Sequence, residues 1–440
     1  MHHKNIQIQA CPIISTDYVN ETPNYNDLST AIHIYGDNPA ANASCVFSAE
    51  DIYNREFIYV NLSHFKITTV CCSQNHILLL ADIGQVFSFG RGDSGQLGHG
   101  TSINYLSEPT LIPGFDKFIC GISCGKYHSI AIDRDGLTYT WGSEDATGHI
   151  ANEWAPKQLD ITTTSGEYIR VSHVASNDTQ NIAISMDTHT MFIWGETFIG
   201  KKVPKPSLFY FDNNISFVQV ALGFKFGIAR TSTGEVYLWG DGTYGELAMK
   251  TSNTYVELPE RADIPFFNNI IDVAAGDRHA LVLDDCGNIY SFGDNLSGQC
   301  GDPTNYHTII FYPRKVMIKQ THFRPVRVFC GSRHSACINE SNQLFTWGHS
   351  SNQKLIFTKP LTQRPGVSVQ SGQKSSCRSA RIIYSLLHLK VTTAALGPEY
   401  TIVITGDGTH ALKDSINIDI GKISSANLSD ASFYSANEKG

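Results

Sequence analysis

The sequence predicts an all-β ring of seven small antiparallel sheets, closed by strands from the two ends of the chain. Three observations predict it. An aromatic residue followed by glycine recurs seven times at near-constant spacing, other residues keep phase with it, and the pattern starts and stops in mid-unit.

The marks are Tyr35-Gly36, Phe89-Gly90, Trp141-Gly142, Trp194-Gly195, Trp239-Gly240, Phe292-Gly293 and Trp347-Gly348. Successive glycines stand 54, 52, 53, 45, 53 and 55 residues apart. A period of this size belongs to a repeat architecture. Just before most marks sits a turn, as in Asp82-Ile83-Gly84, Arg134-Asp135-Gly136 and Asp285-Cys286-Gly287. Turn residues between apolar runs predict hairpins. Earlier in each unit comes a Gly-x-x-His element: Gly125 to His128, Gly276 to His279 and Gly331 to His334. Its variants are Ser73 to His76, Ser176 to Thr179, Gly223 to Phe226 and Gly397 to Tyr400. After the mark comes a second glycine, as in Gly95-Gln96-Leu97-Gly98, Gly245-Glu246-Leu247 and Gly298-Gln299-Cys300-Gly301.

Each unit is therefore several short strands joined by tight turns. Ile289-Tyr290-Ser291-Phe292 alternates as a half-buried strand does. One such sheet cannot cover its own faces, whereas copies packed around an axis can, which is a β-propeller. The pattern opens in mid-unit at Ala31 to Gly36 and closes with Gly397-x-x-Tyr400, a strand over Thr401 to Ile404 and a turn over Gly406 to Gly408. The N-terminus is therefore expected to supply the strand that the last unit lacks. The result is a seven-bladed propeller sealed within one blade, with few free edges. The propeller is expected over 31–414, an N-terminal extension over 1–30, and a Ser/Asn-rich, fraying C-terminal tail over 415–440.

Asp and Glu number 41 against 33 Lys and Arg, a net charge of −8. The densest basic cluster, Lys201, Lys202 and Lys205, is too small for a nucleic-acid grip. Direct nucleic-acid binding is not expected. No apolar run is long enough to span a membrane, and Met1 to Asn20 lacks the apolar core of a signal peptide. The chain is read as an intracellular monomer whose eleven cysteines are free thiols.

The histidines His76, His128, His279 and His334 recur in fixed phase and are read as structural, each closing a hydrogen bond inside its blade. Cys72, Cys124 and Cys330 each precede the Gly or Ser of that element, as Ala275 does, and are read as small buried apolar residues. Cys120 and Cys124 lack a second pair at zinc-site spacing, so no metal or other cofactor is expected. Gly92-Asp93-Ser94-Gly95 is a turn of the repeat rather than a protease nucleophile, and no phosphate-cradling loop is present.

The stretch Phe87-Ser88-Phe89-Gly90-Arg91-Gly92-Asp93-Ser94-Gly95-Gln96-Leu97-Gly98 resembles the regulator of chromosome condensation repeat, as does Val273-Ala274-Ala275-Gly276-Asp277-Arg278-His279-Ala280. The resemblance spans about 31–414. It implies a guanine-nucleotide exchange factor for a Ran-like small GTPase, acting in the nucleus, with the cytoplasm as a second compartment. It also implies a β-wedge after the third mark, here Ser143 to Ile150, with Glu144, Asp145, Thr147 and Gly148 touching the GTPase. An acid important for exchange falls at Asp178, within Ser176 to Thr179, and Asp277 and Arg278 complete the expected contact set. Lys126 stands where a further acid is expected, and Arg278 where a second histidine would precede His279. Such a factor needs no covalent chemistry. Binding the nucleotide-free GTPase more tightly than the loaded one must weaken nucleotide binding equally. Histones or a chromatin-bound protein are further candidate partners. The alternative expectation is a non-catalytic scaffold that docks a protein on one ring face.

Overall fold

The computed structural model describes residues 30–36, 56–59, most of 62–350, Leu355 and 376–406. The predicted tail over 415–440, residues 1–29 of the predicted extension, and Asp407 and Gly408 of the last predicted turn lie outside the described residues.

Seven four-stranded antiparallel sheets form the blades of a propeller, each a simple meander. Blade 1 covers 67–111, blade 2 119–159, blade 3 171–210, blade 4 217–261, blade 5 270–315 and blade 6 325–382. The closing blade takes its first two strands, Lys390–Leu396 and Tyr400–Gly406, from the C-terminal part of the chain. Its outer two, Ala31–Gly36 and Glu56–Tyr59, come from the N-terminal part. The N-terminal part thus gives two strands, not the single one expected. Ile34 pairs with Ile402 and Tyr35 with Thr401 across the seam. Blade 4 is complete, and the short 45-residue interval falls in the connections around its neighbour's outer strand, Lys202–Tyr210.

The first strands of successive blades touch one another around the axis. The apolar core lies between blades. Separate buried clusters fill the joints 1/2, 2/3, 5/6 and 6/7 and the seam between the closing blade and blade 1. The two joints of blade 4 share one continuous cluster running from Ala175 to Phe292.

The repeat signals have local causes. At Gly142, φ is +113°, and a Cβ would sit 2.3 Å from the carbonyl oxygen of Tyr127. Only glycine serves where the third strand passes the start of the second. At Gly125 a Cβ would strike the His128 ring at 2.1 Å, so the histidine needs the bare backbone three residues before it. That ring then reaches the following blade. His76 Nε2 lies 2.7 Å from Ser129 Oγ, His128 Nε2 2.6 Å from Asn181 Oδ1, His279 Nε2 2.9 Å from Ser335 Oγ, and His334 Nε2 2.9 Å from Thr401 Oγ1. The histidines are structural, but these bonds cross between blades; the bond expected inside the blade is found at His76, whose Nδ1 lies 3.1 Å from Ser73 Oγ.

Candidate functional site: the hub face

The second strand starts beside the end of the third, as the pairing of His128 with Gly142 shows. The loops after the first and third strands therefore share one face. There, seven first loops ring the mouth of the axis and enclose a cavity of about 390 Å³. The second residue of each loop points the ring's chemistry inward: Gln74, Lys126, Asp178, Phe224, Asp277, Ser332 and Pro398.

The hydrogen bonds correct one expected alignment. In every blade the N–H of the loop's first residue donates to the carbonyl of the residue that opens the second strand, as Gly125 to His128 and Gly276 to His279. In blade 3 the pair is Asn177 and Gln180, not Ser176 and Thr179. Asp178 consequently occupies the same place as Lys126 and Asp277, at the cavity mouth. Asn177 Nδ2 donates to the Gly223 carbonyl at 3.0 Å, tying this loop to the next blade.

Asp178 and Asp277 flank Phe224 across three successive blades, and all three are exposed. Desolvation in the concave mouth raises the pKa of Asp277, and the nearby Asp178 charge adds to the rise. The hydrogen-bonded Ser332 hydroxyl and the cations Arg333 and Arg278 oppose it. Arg278 lies with its guanidinium 4.3 Å from the Tyr244 ring centroid, and Lys126 with its ammonium 5.2 Å from that of Tyr127. Exposed Tyr127, Ile199 and Leu296 stand on the same face, with Ile150 exposed by 94%. Beneath the rim the cavity walls include Cys72, Cys124 and Cys330, whose thiols burial pushes well above their ordinary pKa. They stay protonated at neutral pH and are poor nucleophiles. Burial likewise lowers His76 to about 3, His128 to about 4 and His279 to about 3, so these rings are neutral. The nine described cysteines are all free.

Models of the regulator of chromosome condensation (RCC1) repeat match residues 84–132, 233–283 and 286–338, and a second model of the same repeat matches 217–246 and 270–299. The chain is a seven-bladed propeller, and the matched stretches carry RCC1 repeats. The human E3 ubiquitin-protein ligase HERC2 is 33% identical over 280 residues, which cover 61% of this chain but 6% of HERC2. The ultraviolet-B receptor UVR8 of Arabidopsis thaliana is 26% identical over 306 residues, 67% of this chain and 68% of UVR8. Among solved structures, Prp20p of Saccharomyces cerevisiae, studied for its binding to Gsp1p and histones, superposes with a TM-score of 0.70. That match has 19% identity and covers 89% of this chain and 95% of that one.

Within this ring the expected contact residues divide. Glu144, Asp145, Asp178, Asp277 and Arg278 are exposed on the hub face. The expected β-wedge is not a pair of strands. Residues Glu144–Thr147 form a single helical turn that ends at Gly148 in the left-handed region. Thr147 is buried, and its carbonyl accepts from Thr140 Oγ1 at 2.7 Å. Gly148 lies where a Cβ would meet Leu159 at 2.9 Å. Thr147 thus faces inward, while Gly148 is half-buried. The Asp145 carboxylate accepts from Lys202 Nζ at 2.8 Å in an exposed pair that contributes little stability. The turn caps blade 2 as Gly95-Gln96-Leu97-Gly98 caps blade 1. Ala146 O accepts from Asn181 Nδ2 at 2.8 Å, as Gln96 O accepts from Ser129 Oγ at 2.9 Å. Sequence reasoning missed Phe224, Ser332 and Arg333, whose only signal was their phase in the repeat.

Proposed function

We propose that the hub face docks a small GTPase of the Ran type and promotes release of its guanine nucleotide. The observation that carries this reading is the meeting of Asp178 and Asp277 at the mouth of a braced ring, with Arg278 beside Asp277 and Glu144 and Asp145 on the same face. Fixed carboxylates can pair with basic residues of a GTPase, and a stiff frame can favour the nucleotide-free form over the loaded one. The fold shared with Prp20p, whose binding to Gsp1p and histones has been studied, supports a GTPase and also a histone as partners, with a nuclear location. In this reading Glu144 and Asp145 contact the GTPase from the helical turn, while Thr147 and Gly148 hold that turn in place. The test is release of labelled GDP from Ran. Acceleration is expected, and Asp178→Ala should reduce it about tenfold or more while unfolding is unchanged, the loss of one charged contact being enough for that. No acceleration at micromolar concentrations would end the proposal.

One observation favours a second reading, a scaffold without exchange activity. The stretch expected to project as a wedge is folded down onto its own blade through Thr147 and onto blade 3 through Ala146. A scaffold should retain loaded and nucleotide-free GTPase equally in a pull-down, whereas an exchange factor should retain the nucleotide-free form preferentially.

A further inference from the structure

Beneath the hub loops, the last two residues of each blade's first strand meet those of its neighbours. The last-but-one residue packs toward the following blade and the last toward the preceding one. Ala175 and Leu222 share a buried cluster in this way, as do Ala274 and Cys330, and Ala395 and Cys72. At joint 1/2 the pair is Cys71 and Cys124. Among the described joints only this one has cysteine in both places.

The two thiols hydrogen-bond one another across the joint. Two further bonds hold the same strand ends together. Asn75 Nδ2 donates to the Lys126 carbonyl at 3.0 Å, and His76 Nε2 lies 2.7 Å from Ser129 Oγ. Cys72 does not compete for Cys71, because successive residues of a strand point to opposite faces. It packs instead against the closing blade, where it meets the Tyr400 hydroxyl.

We propose that Cys71 and Cys124 are a redox pair that a peroxide closes into a disulfide between blades 1 and 2. Cys71 is the more exposed of the two, and Cys124 lines the hub cavity, so a small oxidant reaches the pair from the mouth. Burial, the largest cause, pushes the Cys124 thiol well above its ordinary pKa, so it does not attack first. The Cys71 thiol gives up its proton and its Sγ attacks one peroxide oxygen. The O–O bond breaks, Cys71 becomes a sulfenic acid, and the other oxygen departs as water. Cys124 Sγ then attacks Cys71 Sγ, the S–O bond breaks, and the departing hydroxide leaves as water with the Cys124 proton. Two thiols are oxidised and one peroxide is reduced to two waters. The pair needs no partner and stands apart from the GTPase reading.

The test treats the full folded chain with a few equivalents of hydrogen peroxide. The remaining thiols are then alkylated in denaturant, and the unreduced peptides are mapped by mass spectrometry. A species joining the peptide of Cys71 and Cys72 to that of Cys124 is expected, lighter by two hydrogens than its parts and abolished by reduction. Two variants assign it: the cross-link should persist in Cys72→Ala and be lost in Cys71→Ala. Both are expected to fold, since alanine holds the place of Cys72 in blade 5, as Ala275, and that of Cys71 in four other blades, as Ala175, Ala221, Ala274 and Ala395. If either does not, fragmentation of the wild-type species assigns the bonded sulfur. A cross-link that Cys72→Ala removes and Cys71→Ala keeps overturns the pair. So does a wild type in which Cys124 is still alkylated after Cys71 has been consumed, or in which both remain thiols.

Discussion

The joints on either side of blade 4 are glued differently from the rest of the ring. At joints 1/2, 2/3, 5/6 and 6/7 a buried histidine of one blade bonds a hydroxyl or amide of the next, and at the closing seam the Tyr400 hydroxyl donates to the Ser73 carbonyl. Blade 3 has Gln180 in the histidine position and blade 4 has Phe226, and the facing residues Gly227 and Ala280 offer no side-chain partner. Two other devices take over there. The apolar clusters of both joints merge around Phe217, Phe226, Tyr237 and Trp239. A polar belt also forms on the innermost strands, joined by Arg230 from the second strand of blade 4. His173 Nε2 lies 3.1 Å from the Val220 carbonyl, Gln219 Nε2 donates to Asp272 Oδ1 at 2.7 Å, Arg230 Nε donates to Gln219 Oε1 at 3.2 Å, and Val328 N–H donates to Asp272 Oδ2 at 2.9 Å. One architecture is thus held by two chemistries, and the repeat signature reports only one of them.

If the belt replaces the histidine bonds, its central acid should be the most sensitive point of the ring. Asp272 is buried, and desolvation raises its pKa against the opposing pull of Arg327, Gln219, the Val328 N–H and Arg230. Asp272→Ala would leave the Gln219 amide and the buried Val328 N–H without their acceptor and remove the charge that faces Arg327 and Arg230. A loss of about 3–5 kcal/mol is expected in denaturant unfolding, the cost of two buried donors left unsatisfied at about 1–3 kcal/mol each. A loss below about 1 kcal/mol would show that the belt is incidental and that the merged apolar core alone holds blade 4.

A smaller effect comes from moving the histidine device into blade 4. Phe226→His alone places a polar ring against Ala280 and should cost about 1–3 kcal/mol, the penalty of an unsatisfied buried group. Adding Ala280→Ser supplies the hydroxyl that Ser129 and Ser335 supply elsewhere, with the Glu246 carbonyl in the place of Gln96 and Gln299 O as its own acceptor. The pair should recover part of that loss, a coupling of about 0.5–3 kcal/mol in a double-mutant cycle. Zero coupling would mean that the two kinds of joint are not interchangeable.

The contrast also explains what the sequence could disclose. Blade number, ring closure and strand order were legible because each rests on a per-blade necessity, such as the glycine under His128 or the left-handed Gly142. Blade 3 was read one residue out of step because Gln180 removes the histidine that marks the phase, and Asn177 then replaces the glycine. The hub cavity, and the meeting of Asp178 with Asp277 there, depend on loops far apart in the chain and became visible only with that phase corrected. The wedge was misread because a helical turn and a projecting hairpin can follow the same aromatic–glycine mark. Ala146 and Thr147, facing inward, decide between them through backbone bonds that composition does not encode.

The smallest expected effect separates the two kinds of joint by pH. His76, His128 and His279 have folded values of about 3 to about 4, below the roughly 6.5 of an unfolded imidazole. Between those values the unfolded chain binds more protons than the folded one. Each neutral ring therefore contributes its full stability above about pH 6.5, and that contribution falls as the pH drops toward the folded value. From about pH 6.5 to about pH 5.5 each such ring should cost up to about 1.4 kcal/mol. His279→Phe copies the residue that blade 4 already uses, over a glycine of the same kind, Gly276 for Gly223. It should lose about 1 kcal/mol at neutral pH, the worth of the bond to Ser335. It should also unfold with a shallower acid dependence than the wild type over that one pH unit. Unfolding curves at the two pH values give both numbers. An unchanged slope would mean that His279 becomes protonated in the folded ring, and that the histidine joints are wetter than their burial indicates.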